Sequence, residues 1–250
     1  MQIGFSCGVY IVLRMNRFFN PPQSFSQLFP YLGMSEGSDI DAVSWVMDSG
    51  FKLVCLDIDG TIVETNTSSE LIPEAEEFLA GLASLNVKIA LVTNQGAVGL
   101  RHWMQTNSFG EPESLPSQDE VEKRINLIVA AIKKVYPVDF PVLMAFRFQS
   151  KGDAENGKKP RWGPVPFNCK SDPRWKQEWR KPNPGMILTA MTKCGLSMFE
   201  KKKALMIGDM DTDEAAAKAA GVSFKRAPKI FKPKKSDSPP AKKTKLDVVP

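Results

Sequence analysis

The sequence predicts a three-layer α/β fold in which helices cover both faces of a parallel sheet. Short apolar runs of strand length alternate with longer stretches whose apolar residues recur every three or four positions. Strands separated by helices favour parallel pairing through right-handed crossovers. No run approaches the roughly 18 apolar residues of a membrane span, so we expect a soluble domain.

The first half of the sheet is predicted between residues 51 and 93. The apolar run at 51–56 ends in two carboxylates and a glycine, a pattern typical of a buried strand followed by a turn. A helix is predicted at 73–85, because Pro73 suits a first helical turn and the glutamates after it favour the positive end of the helix dipole. Residues 87–93 form the second predicted strand.

The second half begins with a strongly amphipathic helix at 118–136. Ser117 precedes this helix and Glu120 follows three residues later, which is the spacing of a capping box. The remaining predicted elements are a strand at 141–148, a helix at 184–194 ended by Gly195, a strand at 203–208, a helix at 212–220 ended by Gly221, and a strand that begins at 222–224.

The domain organisation follows from where this alternation starts and stops. Residues 1–50 are expected to be a partly disordered extension, 51–231 the folded domain, and 232–250, rich in Lys, Pro and Ser, a disordered basic tail. Inside the domain, residues 149–180 are too long for a plain connection and predict a lid or binding loop. Residues 97–117 are predicted to be an insertion near the site entrance.

Polar residues follow several predicted strands or precede helices, and together they suit phosphoryl transfer. That reaction needs a nucleophile, a cation, donors for the phosphate oxygens and a proton donor. Asp57 and Asp59 repel each other, so a cation, a shared proton or a polar shell must offset their charge. The other candidates are Thr93 and Asn94, Arg180 and Lys181, and Asp209 and Asp213.

Each residue type has a chemical role available to it. Asp57 can attack phosphorus and form an acyl phosphate, while Asp59 can protonate the leaving oxygen and later activate water. Asp57 and Asp209 can hold Mg²⁺, a hard cation that prefers oxygen ligands. Thr93 and Lys181 can hold the phosphate.

The motifs Asp-x-Asp-Gly-Thr, Thr-Asn-Gln, Lys-Pro-x-Pro-Gly and Gly-Asp-x-x-x-Asp occur in this order. Over residues 51–231 they resemble the haloacid dehalogenase (HAD) superfamily of aspartyl-nucleophile phosphatases. The resemblance implies a Rossmann-like fold, Asp57 as nucleophile and Asp59 as general acid/base. It also implies Mg²⁺ held by the carboxylates of Asp57 and Asp209 and the main-chain carbonyl of Asp59, with Asp213 in support. An acid at Asp59 favours a phosphatase or mutase over the ATPase and dehalogenase branches, which lack it.

Within this superfamily, Thr-Asn-Gln-Gly at 93–96 and Arg-Lys-Pro-Asn-Pro-Gly-Met at 180–186 resemble subgroup III. That subgroup holds histidinol phosphatase, heptose bisphosphate phosphatase and polynucleotide 3′-phosphatase domains. The resemblance also implies that a large cap is absent, which fits the short gap between Thr61 and Val87. Substrate binding is expected at both motifs, through Thr93, Asn94, Arg180 and Lys181. The sugar and histidinol enzymes carry a Cys/His zinc loop before the second motif. Only Cys169 and no histidine stand there in this chain, so no zinc is expected.

Three hypotheses for the function stay open. A polynucleotide (DNA) 3′-phosphatase is suggested by the loop at 149–180, which interleaves cations with tryptophans, and by the basic tail. The alternatives are a small-molecule phosphatase acting on a sugar or nucleotide phosphate, and a non-catalytic nucleic-acid-binding protein on the same fold. If the protein is a small-molecule phosphatase, the loop at 149–180 would be a lid whose tryptophans pack on the core.

Location is predicted from cysteine usage and from the two ends of the chain. The four cysteines, scattered without pair spacing, indicate free thiols in a reducing, intracellular compartment. The basic run at 242–245 resembles a nuclear-localisation signal, and a nucleic-acid-steering arm is the alternative. Residues 1–35 contain no acid and weakly resemble an organelle transit peptide, although a simple extension is the favoured interpretation.

Overall fold

The computed structural model describes residues 2–4, 10–12, 40–152, 157 and 159–231. At the start of the chain, β1 (Gln2–Gly4) pairs with β2 (Tyr10–Val12) in a two-stranded antiparallel sheet. The tail at 232–250 and most of residues 1–35 lie outside the described residues, and so do the predictions made for them.

The central sheet has five parallel strands: β3 (Leu53–Leu56), β4 (Lys88–Asn94), β5 (Val142–Ala145), β6 (Ala204–Gly208) and β7 (Ser223–Arg226). Their order across the sheet is β5-β4-β3-β6-β7. The chain therefore builds outward from β3 on one side and then on the other. At such a switch point the turns after neighbouring strands diverge and open a crevice at the carboxyl edge of the sheet.

Helices cover both faces of the sheet, which confirms the predicted three-layer, Rossmann-like fold class. They are α1 (Ile40–Asp48), α2 (Pro73–Ser84), α3 (Gly96–Asn107), α4 (Gln118–Val135), α5 (Gly185–Lys193), α6 (Asp211–Ala220) and the short α7 (Ala227–Ile230). The predicted capping box at the start of α4 is present: Ser117 Oγ accepts from the Glu120 main-chain N–H, and Glu120 Oε2 accepts from the Ser117 main-chain N–H. None of the described helices is long and apolar enough to cross a membrane.

Strand β3 lies at the centre of both core layers. Its side chains alternate, so that Val54 and Leu56 pack with α2 and α4 while Leu53 and Cys55 pack with α5 and α6. All four are fully buried. A strand that is buried on both faces needs a continuous apolar run, which is the sequence pattern observed here. The end of β3 is consequently held firmly where the first two carboxylates follow it.

Three helices were not identified from the sequence, and the shortest of them is α7, a single turn after β7. Helix α1 lies in the segment expected to be an extension, and its Val43 and Val46 belong to the hydrophobic core beside α2. Helix α3 occupies much of the predicted insertion at 97–117. Only Val98 and Gly99 of α3 are buried, so the helix lacks the apolar stripe that sequence analysis detects. Its position is nonetheless fixed, because a Cβ atom at Gly99 would collide with the main-chain oxygen of Phe146.

Candidate active site

The predicted site residues converge at the carboxyl ends of β3, β4 and β6. The turns after parallel strands meet at one edge of a sheet, and here they meet beside β3. Asp57 and Asp59 follow β3, and Thr93 and Asn94 end β4. The others are Arg180 and Lys181, which precede α5, Asp209, which follows β6, and Asp213, in the first turn of α6.

A buried lysine lies between two buried carboxylates at the centre of the site. Lys181 Nζ is 2.7 Å from Asp57 Oδ1 and 2.5 Å from Asp213 Oδ1, and it also donates to the Val92 carbonyl at 2.8 Å. Lys181 is 2 % exposed, Asp57 6 % and Asp213 0 %. Buried charges are stable only when they are paired and hydrogen-bonded, so these three side chains fix one another in place.

The ionisation of this triad is set by burial and by its internal charges. Burial raises the pKa of Asp57 to about 6, Lys181 works against that rise, and the charge of Asp213 adds to it. Burial disfavours the charged form of Lys181, but the attraction of Asp57 and Asp213 outweighs burial and raises its pKa. A charged lysine therefore faces a carboxyl group with a strongly perturbed pKa, a combination that is common at functional sites.

A third carboxylate completes an acidic cluster suited to a metal ion. One oxygen from each of Asp57, Asp209 and Asp213 lies within 4.8 Å of the others. Asp209 Oδ1 is buried without a hydrogen-bond donor, and burial together with repulsion from Asp213 raises the pKa of Asp209. A buried acceptor without a donor is unusual in folded proteins, and a bound cation would satisfy it. Three carboxylate donors without nitrogen or sulfur fit a hard ion such as Mg²⁺.

The turn after Asp59 can approach this cluster only because it contains glycine. Gly60 has a φ of +72°, which L side chains rarely adopt, and a Cβ atom there would lie 2.5 Å from Asp209 Oδ2. The Gly60 main-chain N–H donates to Val63 at 2.9 Å and closes the turn. Both the backbone conformation and the close approach therefore require glycine at this position.

Both oxygens of Asp59 are held by side chains from other elements. Arg124 Nη2, from α4, donates to Asp59 Oδ1 at 2.6 Å. Gln95 Nε2 donates to Asp59 Oδ2 at 2.8 Å and to Thr93 Oγ1 at 3.0 Å. Gln95 thus ties the end of β4 to the turn after β3. The Thr93 hydroxyl accepts from Gln95, which leaves its own hydrogen free to donate.

Asn94 holds the main chain of Lys181 through two reciprocal hydrogen bonds. Its Nδ2 donates to the Lys181 carbonyl at 3.0 Å, and its Oδ1 accepts from the Lys181 N–H at 3.1 Å. This pair positions the buried lysine. The neighbouring Arg180 lies against the first residue of α3, since a Cβ on Gly96 would be 2.8 Å from Arg180 Nη1. That Nη1 is buried without a hydrogen-bond partner, and burial lowers the pKa of Arg180.

Three residues that contact the site were absent from the predicted set. Gln95 belongs to the predicted Thr-Asn-Gln motif, so its position at a strand end was the available signal. Arg124 and Arg226 gave no local signal, because each reaches the site from a distant element. Arg226 Nη1, at the end of β7, donates to the Asp209 carbonyl at 2.7 Å and supports the turn that carries this carboxylate.

The loop at 149–180 divides between core packing and an exposed basic surface. Trp175 is buried against Phe146, and Trp179 Nε1 donates to the Met144 carbonyl at 2.8 Å. Two of the three tryptophans therefore pack on the domain. The third, Trp162, lies under the guanidinium of Arg147.

A cavity of about 300 Å³ opens beside this loop. Three cations contribute to its lining, Arg147, Lys170 and Lys176, together with one acid, Glu178. Phe167 stands nearby in sequence, 86 % exposed, with Lys170 Nζ 4.6 Å from its ring centroid. The lining is therefore positively charged on balance.

Part of the chain that contributes to the site is similar to a known family. Residues 178–224 match the family model described as HAD-hydrolase-like. This segment includes Lys181, Asp209 and Asp213, so three of the clustered side chains belong to the matched part, which supports a hydrolase. No curated protein sequence matches the chain.

Solved structures similar to the chain include a candidate phosphoglycolate phosphatase from Lactobacillus plantarum, at 19 % identity and a TM-score of 0.27. That match covers 74 % of this chain and 89 % of the other. A candidate haloacid dehalogenase-like hydrolase from Bacteroides fragilis matches at 13 % identity and a TM-score of 0.24, over 70 % of this chain and 86 % of the other.

Proposed function

We propose that this chain is a Mg²⁺-dependent phosphomonoesterase that works through an aspartyl-phosphate intermediate. The observation that carries the proposal is Asp57, a buried carboxylate at the end of the central strand, fixed by Lys181 and adjoining the acidic cluster. The HAD-hydrolase-like match over the segment that contains Lys181 and Asp209 supports the same chemistry.

The proposed reaction has two displacements at phosphorus. Asp57 attacks the phosphate and forms an acyl phosphate while the bond to the leaving oxygen breaks, and Asp59 donates a proton to that oxygen. Asp59 then accepts a proton from a water molecule, which attacks the acyl phosphate and releases inorganic phosphate. Lys181 and the Thr93 hydroxyl stabilise the phosphate oxygens during both steps.

The carboxylates of Asp57 and Asp209, with Asp213 in support, would hold Mg²⁺, and the main-chain carbonyl of Asp59 is a further proposed ligand. When bound, the ion offsets the charge that accumulates between the nucleophile and the phosphate. The buried Asp209 Oδ1 without a donor is the structural support for this assignment.

Phosphate release tests the proposal directly. With Mg²⁺, wild-type protein should release phosphate, and chelation should stop the release. Asp57→Asn should abolish turnover. Asp211→Asn should retain it, because Asp211 lies outside the acidic cluster, its side chain is almost fully exposed, and its partner Arg226 keeps Glu214 as a second ion-pair partner. Substantial activity of Asp57→Asn would refute the nucleophile, and full activity in chelator would refute the metal.

For the substrate we propose a 3′-phosphate at the end of a polynucleotide. The support is the cavity lined by Arg147, Lys170 and Lys176, on the segment that leads to Lys181, with Phe167 exposed beside it. Cations that track a backbone and an exposed aromatic ring that stacks on a base are the usual components of single-strand binding. On this proposal the basic tail at 232–250 adds attraction to the nucleic acid or acts as a nuclear signal.

A small phosphorylated metabolite is the second candidate, and a specific observation favours it. Trp175 and Trp179 pack on the domain, which removes two of the expected stacking surfaces. A panel of 3′- and 5′-phosphorylated oligonucleotides, mononucleotides and sugar phosphates separates the candidates. Selective release from 3′-phosphorylated DNA, reduced by Lys170→Glu and by salt, supports the first. Equal turnover of small phosphates refutes it, and tight binding without turnover would indicate a non-catalytic nucleic-acid-binding protein.

A further inference from the structure

We propose that Arg124 is a positioning residue for Asp59, an inference that rests on the proposed phosphatase function. Arg124 lies on α4, 65 residues away along the chain, and did not belong to any motif. Its guanidinium fixes the carboxylate that exchanges protons with the leaving oxygen and with water. Without it, Asp59 would keep only one side-chain partner.

The guanidinium of Arg124 connects three points at the site entrance. Nη2 donates to Asp59 Oδ1 at 2.6 Å and to the Thr65 carbonyl at 2.9 Å, and Nε donates to the Ser68 carbonyl at 2.8 Å. The side chain of Arg124 is 14 % exposed and that of Asp59 24 % exposed. An ion pair this shielded is screened far less by salt than a surface pair. Arg124 therefore links α4, the turn after β3 and the segment that leads to α2.

The second oxygen of Asp59 is held from the opposite side. Gln95 Nε2 donates to Asp59 Oδ2 at 2.8 Å and also contacts Thr93 Oγ1. With a donor on each oxygen, the carboxylate plane of Asp59 is fixed relative to Thr93. Removing the Arg124 donor leaves rotation about the side-chain bonds restrained by Gln95 alone.

The core packing of helix α4 does not involve Arg124. Helix α4 packs through the buried residues Val121, Ile125 and Ile128, and its start is closed by the capping box at Ser117. Substitution of Arg124 should therefore leave the domain folded and act on the site.

The effect should depend on the leaving group. Proton transfer requires the acid within hydrogen-bond reach of the leaving oxygen, and a misplacement of about 1 Å can cost about 100-fold in rate. An alkyl phosphate such as glycerol 2-phosphate needs that proton, whereas p-nitrophenolate leaves without it. The ratio kcat/KM covers the steps up to formation of the acyl phosphate, so it separates this proton transfer from the later hydrolysis.

The experiment compares wild-type protein with Arg124→Ala, Arg124→Lys and the control Lys123→Ala, which removes an exposed cation from the same helix. With Mg²⁺, Arg124→Ala should lose about 100-fold in kcat/KM on glycerol 2-phosphate and less than about 10-fold on p-nitrophenyl phosphate. Arg124→Lys should recover part of the loss, because an ammonium group can pair with Asp59 but cannot make all three hydrogen bonds of the planar guanidinium. Lys123→Ala should match wild type.

The outcomes distinguish this inference from the proposed function. If wild-type protein is active and Arg124→Ala loses nothing, or loses equally on both substrates, the positioning role is overturned while the phosphatase stands. Equal losses together with a lowered melting temperature would identify a purely structural residue, which also overturns the role. If wild-type protein releases phosphate only from a 3′-phosphorylated oligonucleotide, whose leaving oxygen is also an alkyl oxygen, a loss of about 100-fold for Arg124→Ala is expected on that substrate, and the absence of that loss overturns the role. If wild-type protein releases phosphate from none of the three substrates, the proposed function fails, and this inference fails with it.

Discussion

Replacing the proposed nucleophile should stabilise the protein at neutral pH when no metal is added. The pKa of Asp57 is raised from 3.8 to about 6 in the folded state, chiefly by burial. A carboxyl group with a raised pKa contributes stability that is fully present below the unfolded value and is lost as pH rises through the folded value. The amide of the Asp57→Asn variant cannot ionise, so the variant avoids this loss while the amide oxygen still accepts from Lys181 Nζ.

The size of the effect follows from the pKa values. The rise from 3.8 to about 6, at about 1.4 kcal/mol per pKa unit, corresponds to about 3 kcal/mol at pH 7.5. Lys181 keeps Asp213 as a counter-charge at 2.5 Å, which limits the cost of removing one partner. For a domain of this size, 3 kcal/mol corresponds to a rise in Tm of about 6–12 °C. Near pH 4 the difference should shrink below about 1 kcal/mol, since Asp57 is then protonated in the folded protein.

Urea unfolding followed by tryptophan fluorescence, with chelator present, measures the difference in unfolding free energy between variant and wild type at pH 7.5 and at pH 4. Mg²⁺ at about 1,000 times its Kd should then reverse the order, because it stabilises the wild type by about 4.1 kcal/mol, which exceeds the variant's advantage of about 3 kcal/mol, and the variant lacks one proposed ligand. Asp211→Asn is the control, since its exposed carboxylate should change stability little. The reasoning would be refuted if the variant were no more stable than wild type at pH 7.5, or if the difference in their unfolding free energies were the same at pH 7.5 and pH 4.

Gly60→Ala should lower Mg²⁺ affinity at least about tenfold in a thermal-shift titration, because its Cβ would collide with Asp209. Gly50→Ala is the control, because Gly50 has the same left-handed backbone conformation but no atom near its Cβ position. It should cost about 1 kcal/mol of stability and leave Mg²⁺ affinity unchanged. An equal loss of Mg²⁺ affinity in both variants would contradict the collision with Asp209. Ser117→Ala should cost about 1 kcal/mol in urea unfolding by removing the acceptor for the Glu120 N–H, and an unchanged midpoint would show that this cap contributes nothing.

Regular structure was predicted where local pattern and burial agree. The run that became β3 is apolar throughout because both of its faces are buried, and Ser117 marks the start of α4 through its own hydrogen bonds. The helices α1 and α3 escaped detection for different reasons. Val43 packs against Gly81 of α2 only after the chain has folded back, and α3 presents almost no apolar face.

The site residues also divide into those that a local sequence pattern predicts and those whose position depends on tertiary packing. The positions of Asp57, Thr93 and Asp209 at strand ends were predictable, since parallel strands present their carboxyl ends at one edge. Their proposed roles remain predictions. Arg124 and Arg226 could not be predicted, because each contact depends on how a distant helix or strand packs beside the crevice. An arginine in a sequence shows only that a positive charge is present, and its ion-pair partner is determined by the fold.

The ion pairs that the described residues form in the assembled site leave one carboxylate without a cation. Four acids line it: Asp57, Asp59, Asp209 and Asp213. Lys181 forms ion pairs with the first and the last, and Arg124 pairs with the second. Among the described residues, Asp209 has no ion-pair partner, and its Oδ1 lacks a donor. Arg226 reaches the main-chain carbonyl of Asp209 but pairs its charge with Asp211 and Glu214. Because the Asp209 carboxylate is the acid of the site that these described ion pairs leave without a cation, Asp209→Asn should weaken Mg²⁺ binding in a thermal-shift titration more than Asp211→Asn does.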